Sequence, residues 1–114
     1  MTLSEDEPWE QRKHERYRID LPARWTGESA VGFGVVKDIG PGGCFVRTEG
    51  AARTGEVVTL EVAKRGGERL SFLGHVLYLI EGEGFGVCFL PYGDAGNSKK
   101  VALLVKDSTD SGGR

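Results

Sequence analysis

At 114 residues the chain is long enough for one domain with a single core and too short for two. Hydrophobic residues at 39% and charged residues at 28% fit a soluble globular domain and exclude a disordered chain. A formal net charge of -2 and a pI near 5.7 exclude a protein that coats nucleic acid by charge alone, since such domains carry a strongly basic face.

The 18 glycines are roughly twice the usual share of about 7%. They fall between short β-branched and aromatic runs, so they read as turns between the strands of an all-β domain. Residues 1–11 are polar and acidic and are expected to form a mobile arm, with Trp9 its one aromatic. From Arg16 to Trp25 the chain alternates, with Tyr17, Ile19, Leu21, Ala23 and Trp25 on one phase. That period of two predicts a strand with one buried face. Pro22 lies on the other phase, which puts this strand at an edge or its start beside a bulge.

Residues 27–32 read as a turn and Phe33 to Ile39 as a second strand, stopped by Gly40-Pro41-Gly42-Gly43. Cys44 to Thr48 make a third strand and 56–63 a fourth, followed by a hairpin turn at Gly66-Gly67. Leu70 to Leu79 form a fifth, with Gly74 expected at a bulge or bend. Phe85 to Leu90 complete a sixth. Six short strands with turns every 8–12 residues suggest a closed or nearly closed barrel. Asn97 to Asp107 reads as a helix capped by Asn97 or Ser98, with Val101, Leu104 and Val105 on its apolar face. The tail, residues 107–114, is expected to be disordered.

Charge is unevenly spread. Arg12, Lys13, Arg16 and Arg18 crowd into seven residues with only Glu15 opposing them. A local cationic cluster on an acidic protein suits a small anionic ligand, although a solvated charge run beside a terminus has the same composition. Arginine offers a planar fork that matches the O6/N7 edge of guanine and phosphate oxygens, and its flat face stacks on purines. The second feature is Asp38-Ile39-Gly40-Pro41-Gly42-Gly43, at the link between two strands. Glycine there permits positive φ and close approach of a ligand to the backbone. The Asp38 carboxylate can accept the N1–H and N2–H donors of a guanine, or can cap its own turn.

Taken together, Arg12-x-x-x-Arg16, the strand through Arg18-Ile19-Asp20-Leu21-Pro22-Ala23, and Asp38-x-Gly40-x-x-Gly43 resemble the PilZ domain family, marked by RxxxR and a following [D/N]xSxxG. Gly84-Phe85-Gly86-Val87-Cys88-Phe89 is similar to the last barrel strand of those domains. The resemblance implies an all-β, six-stranded PilZ-type barrel of the split-barrel kind over residues 12–106, with a C-terminal helix and a flexible N-terminal arm. It also implies binding of cyclic di-GMP, with ligand contacts at Arg12, Lys13, Arg16, Asp38, Gly40, Gly42 and Gly43. Gly40 departs from the pattern, because the family usually has serine there; one hydrogen bond to the ligand is lost. A degenerate adaptor that binds a protein partner without nucleotide is the alternative.

No catalytic residues, cofactor or metal are expected. His14 and His75 have no evident paired Asp or Cys, and Cys44 and Cys88 have no zinc-like spacing and read as small core residues. No stretch is apolar enough for membrane insertion, so a cytoplasmic protein with reduced thiols is expected. The expected partners are cyclic di-GMP and an unidentified protein, with no DNA or RNA.

Overall fold

The computed structural model describes residues 16–50 and 52–112. These form β1 (Tyr17–Gly27), β2 (Val31–Gly40), β3 (Gly43–Arg47), β4 (Val57–Ala63), β5 (Arg69–Ile80), β6 (Gly84–Phe89) and α1 (Ala95–Gly112). The strands close into a barrel in the order β1-β2-β3-β6-β5-β4, every neighbouring pair antiparallel, with β4 returning to β1.

The core follows from the period of two. Ile19, Leu21, Ala23 and Trp25 of β1 and Val58, Leu60 and Val62 of β4 are buried, and the residues between them face outward. Tyr17, on the same phase, is exposed at the start of β1. Trp25 meets Phe85 edge to face with centroids 5.2 Å apart, and Phe72 stacks on Phe89 at 4.5 Å. Fully burying a side chain of this size stabilises the fold by about 1.5–3 kcal/mol relative to exposure.

Of two expectations about strand irregularity, the one for Pro22 is met and the one for Gly74 is corrected. Pro22 pairs opposite Val35 of β2, and β1 starts pairing with β4 only at Ala23, so the missing N–H falls where β1 has one neighbour. Gly74 is not a bulge: it pairs in register with Val58 on one side and Phe89 on the other. A Cβ there would lie 2.5 Å from a Val87 methyl, so glycine lets β6 approach. The irregularity of β5 comes later, between Val76 and Tyr78.

Helix α1 covers the barrel end where β1 begins and β2 ends, burying Val101 and Leu104 with Val105 partly buried. It starts two residues earlier than the spacing predicts. Asp94 is its cap, its carboxylate accepting the Asn97 N–H at 3.1 Å, while Asn97 is buried and its Nδ2 donates to the Leu90 and Pro91 carbonyls. The helix also continues to Gly112, so residues 108–112, expected as disordered tail, are helical. Its end is tied down: Asp107 accepts the Arg65 N–H at 2.9 Å, and the Ser108 hydroxyl donates to the Ile19 carbonyl at 3.2 Å.

At the opposite end, the loop from β3 to β4 is held by two buried polar groups. Trp25 Nε1 donates to Thr48 Oγ1 at 3.1 Å, and that hydroxyl donates to the Phe33 carbonyl at 2.9 Å. The Glu56 carboxylate accepts the N–H groups of Arg53 (2.7 Å) and Ser29 (2.6 Å) and the Ser29 hydroxyl (2.8 Å). These bonds, led by the one from Arg53, lower its pKa to about 2.

Candidate functional site

The two sequence features meet on the outer wall near the helix-covered end. Register shifts interrupt β1–β2 pairing between Arg18 and Leu21 and β2–β3 pairing between Val36 and Asp38. Asp20 adopts a left-handed φ of 53°, a conformation Asp tolerates better than most residues, and its carboxylate pairs with Lys37 at 2.7 Å. That lysine is the chief reason the Asp20 pKa is lowered. Bulges of this sort re-aim side chains beside binding sites.

Beyond the bulges, Asp38 sits between Arg18 of β1 and Phe45 of β3 in register. Its neighbour Ile39 and the opposite residue Cys44 are core, so Asp38 points outward. Arg16 reaches it from just before β1, donating from Nε at 3.1 Å and from a terminal nitrogen at 2.5 Å, both to Oδ1. The pair is accessible, with about a quarter of the Arg16 and a third of the Asp38 side chain exposed. Cys44 lies beneath it, and burial raises that thiol's pKa well above the ordinary value, so it is an inert core group.

The positive φ expected of the turn glycines is not found. None of Gly40, Gly42 and Gly43 has a left-handed φ. Gly43 instead lets β6 pass: a Cβ there would lie 2.1 Å from the Val87 carbonyl oxygen. A Cβ on Gly42 would lie 3.3 Å from the Tyr92 ring, a tight contact. Arg12 and Lys13 lie outside the described residues, as do Trp9 and His14.

Sequence reasoning missed an aromatic pair. Phe45 and Tyr78 both register on Gly86 of β6, from opposite sides. With no side chain on Gly86, the Tyr78 ring lies over its backbone and stacks on Phe45, centroids 6.4 Å apart and planes 23° from parallel. The row Arg18, Asp38, Phe45, Gly86, Tyr78 therefore runs across five strands and joins a charge-paired carboxylate to a flat π surface. The signal was the phase of Phe45, opposite to Cys44 and Val46, but short strands give little phase to read.

One other residue differs from expectation. Cys88 is half-buried on the outer face between Gly43 and His75, not in the core, and burial raises its pKa. Both cysteines are free thiols. Among the described residues no group of three His, Cys, Asp or Glu side chains is arranged to hold a metal.

The PilZ domain family matches residues 10–106 of the chain, a span that takes in both motifs and all six strands. The chain belongs to the PilZ domain family. Two solved structures share its fold. One is the PilZ domain of CeSA from a cellulose-synthesizing bacterium, with a TM-score of 0.64 and 20% identity over 80% of this chain and 94% of that one. The other is the Bacillus subtilis inhibitor of motility MotI/DgrA, with a TM-score of 0.66 and 14% identity over 89% of this chain. This PilZ chain spans 52% of the MotI/DgrA chain, about half its length. No curated protein matches at a significant level.

Proposed function

We propose that this PilZ chain is a receptor for cyclic di-GMP that regulates a partner protein through its ligand-dependent surface. The observation that carries the reading is the Arg16–Asp38 pair, set beside the Phe45–Tyr78 stack on an accessible wall. Asp38 accepts the N1–H and N2–H of a guanine. Arg16 takes the O6/N7 edge of a guanine or a phosphate oxygen, and the aromatic pair offers a stacking face. Arg12 and Lys13, preceding Arg16 in the RxxxR motif, are assigned to the remaining guanine and phosphates. An ion pair this exposed is worth about 0–1 kcal/mol, so releasing Arg16 to a ligand costs little.

Gly40 supplies no hydroxyl, and Gly42 and Gly43 contribute backbone. One neutral hydrogen bond is worth about 0.5–1.5 kcal/mol, so its absence weakens binding without abolishing it. The same missing hydroxyl supports the second reading, an adaptor that binds its partner without nucleotide. Binding without catalysis, metal or cofactor is the chemistry assigned here. Free thiols at Cys44 and Cys88 fit the cytoplasm, and no helix among the described residues is long and apolar enough to cross a membrane. Titration calorimetry with cyclic di-GMP tests the reading: heat lost in an Arg12→Ala, Arg16→Ala variant supports it. No heat from the parent protein at tens of micromolar ligand favours the adaptor.

A further inference from the structure

Strand β5 outruns its neighbour β4. Pairing between them ends at His75 opposite Val57, and the Val76 N–H and carbonyl make the last bonds, to Glu56 and Gly55. Pairing with β6 continues to Ile80 opposite Gly84. Leu77, Tyr78, Leu79 and Ile80 thus form the edge strand of the β3-β6-β5 sheet at the barrel end away from α1. Among the described residues no strand lies along its other edge.

All four residues are 41–45% exposed, and together they make an uncharged apolar run. Edge strands in soluble proteins are usually protected by an inward charge, a proline or a cover. Here the charges stand at the rim instead. Glu49 and Glu81 line one cavity of about 510 Å³ with Leu79 and Ile80, and Glu83 follows in the turn, its carbonyl accepting the Thr48 N–H. Arg47, opposite Gly84 on the outward row that continues to Ile80, is the nearby cation.

We propose that the Leu77–Ile80 edge is a docking strand that takes an extended protein segment of alternating apolar and basic residues by strand addition. Main-chain hydrogen bonds supply the alignment, the apolar side chains of the segment cover Leu77 and Leu79, and its cations meet Glu49, Glu81 and Glu83. A second copy of this chain fits less well. Antiparallel pairing of two such edges would bring the glutamates of both copies to one small contact. Four residues from each side also fall far short of the roughly 800 Å² per partner of a stable interface. The edge shares Tyr78 with the aromatic stack assigned to the nucleotide, so peptide binding is read in the absence of nucleotide, where the two proposals fail separately.

The test uses the intact protein and two synthetic peptides, acetyl-KVKIKVK-amide and acetyl-EVEIEVE-amide. Amide hydrogen exchange at Leu77–Ile80 is expected to slow at least tenfold with the basic peptide. The basic peptide is also expected to bind at least tenfold more tightly than the acidic one, with that preference reversed in a Glu49→Lys, Glu81→Lys variant. A basic peptide N-methylated at alternate residues should fail to protect the edge, which checks strand addition without altering the protein. Unchanged exchange, equal binding of the two peptides, or protection at 77–80 caused by self-association alone would overturn the proposal.

Discussion

Arg16 and Asp38, 22 residues apart, meet on the outer wall of the barrel through two donors converging on one carboxylate oxygen. The pair stands where two interrupted ladders flank Asp38, so main-chain irregularity sets its geometry while water still reaches it. Such a pair is poised for recognition more than for stability. Asp38→Ala is expected to weaken cyclic di-GMP binding at least tenfold, since hydrogen bonds to a charged group contribute about 1.5–3 kcal/mol. Its melting temperature should fall by less than about 5 °C, because an exposed pair is worth at most about 1 kcal/mol. Calorimetry and thermal melts on one preparation separate the two effects.

Gly40→Ser restores the hydroxyl that the family pattern carries. The backbone at Gly40 has no left-handed φ, so a side chain brings no strain of that kind. The expected result is tighter nucleotide binding by up to roughly tenfold, read by the same titration.

Gly43→Ala should damage the fold instead. The added methyl would overlap the Val87 carbonyl oxygen, and its nearest neighbours are all β6 backbone, with no flexible side chain to yield. Overpacking costs about 1–3 kcal/mol, and this backbone clash belongs at the upper end. Denaturant unfolding should show a lower midpoint, with Gly42→Ala, which meets only the Tyr92 ring, clearly milder.

Glu56 makes stability depend on acid. Its folded pKa of about 2 lies below the ordinary 4.5, so the carboxylate is stabilised by folding. That contribution is complete above about pH 5 and is lost as pH falls through 4.5 towards 2. Melting temperatures followed from pH 6 down to pH 2.5 should decline, and Glu56→Gln should start lower and decline less steeply.

Thr48→Val removes the acceptor for Trp25 Nε1, which is buried at the barrel end away from α1. An unsatisfied buried donor costs about 1–3 kcal/mol, so the unfolding midpoint should drop accordingly while nucleotide affinity is unchanged.

Much of the barrel was legible in the sequence because alternation over seven or more residues is hard to produce otherwise. The buried phases of β1 and β4 follow directly from it. What failed was local. Gly74 looked like a break because a glycine inside a strand carries no hint of what packs against it; only the crossing of β6 explains it. The helix cap fell to Asp94 because Asn97 was needed inside, bonded to the loop carbonyls. At the site, the charged and glycine positions stood out by type. The Phe45–Tyr78 stack did not, since it arises from two strands meeting across a third, and nothing in chain order joins residues 33 positions apart.

The bare backbone of Gly86 has a consequence for how the protein tolerates change. Any side chain there would strike the Tyr78 ring, at 2.4 Å from its Cβ, and neighbouring Gly84 faces the Val46 carbonyl oxygen just as closely. At Gly84 the obstacle is backbone that cannot give, whereas at Gly86 it is the far end of the exposed Tyr78 ring, which can swing away and break the stack on Phe45. In a saturation library selected for solubility, Gly84 should emerge nearly invariant, while Gly86, Asp38 and Arg16 drift until selection is made for the ligand.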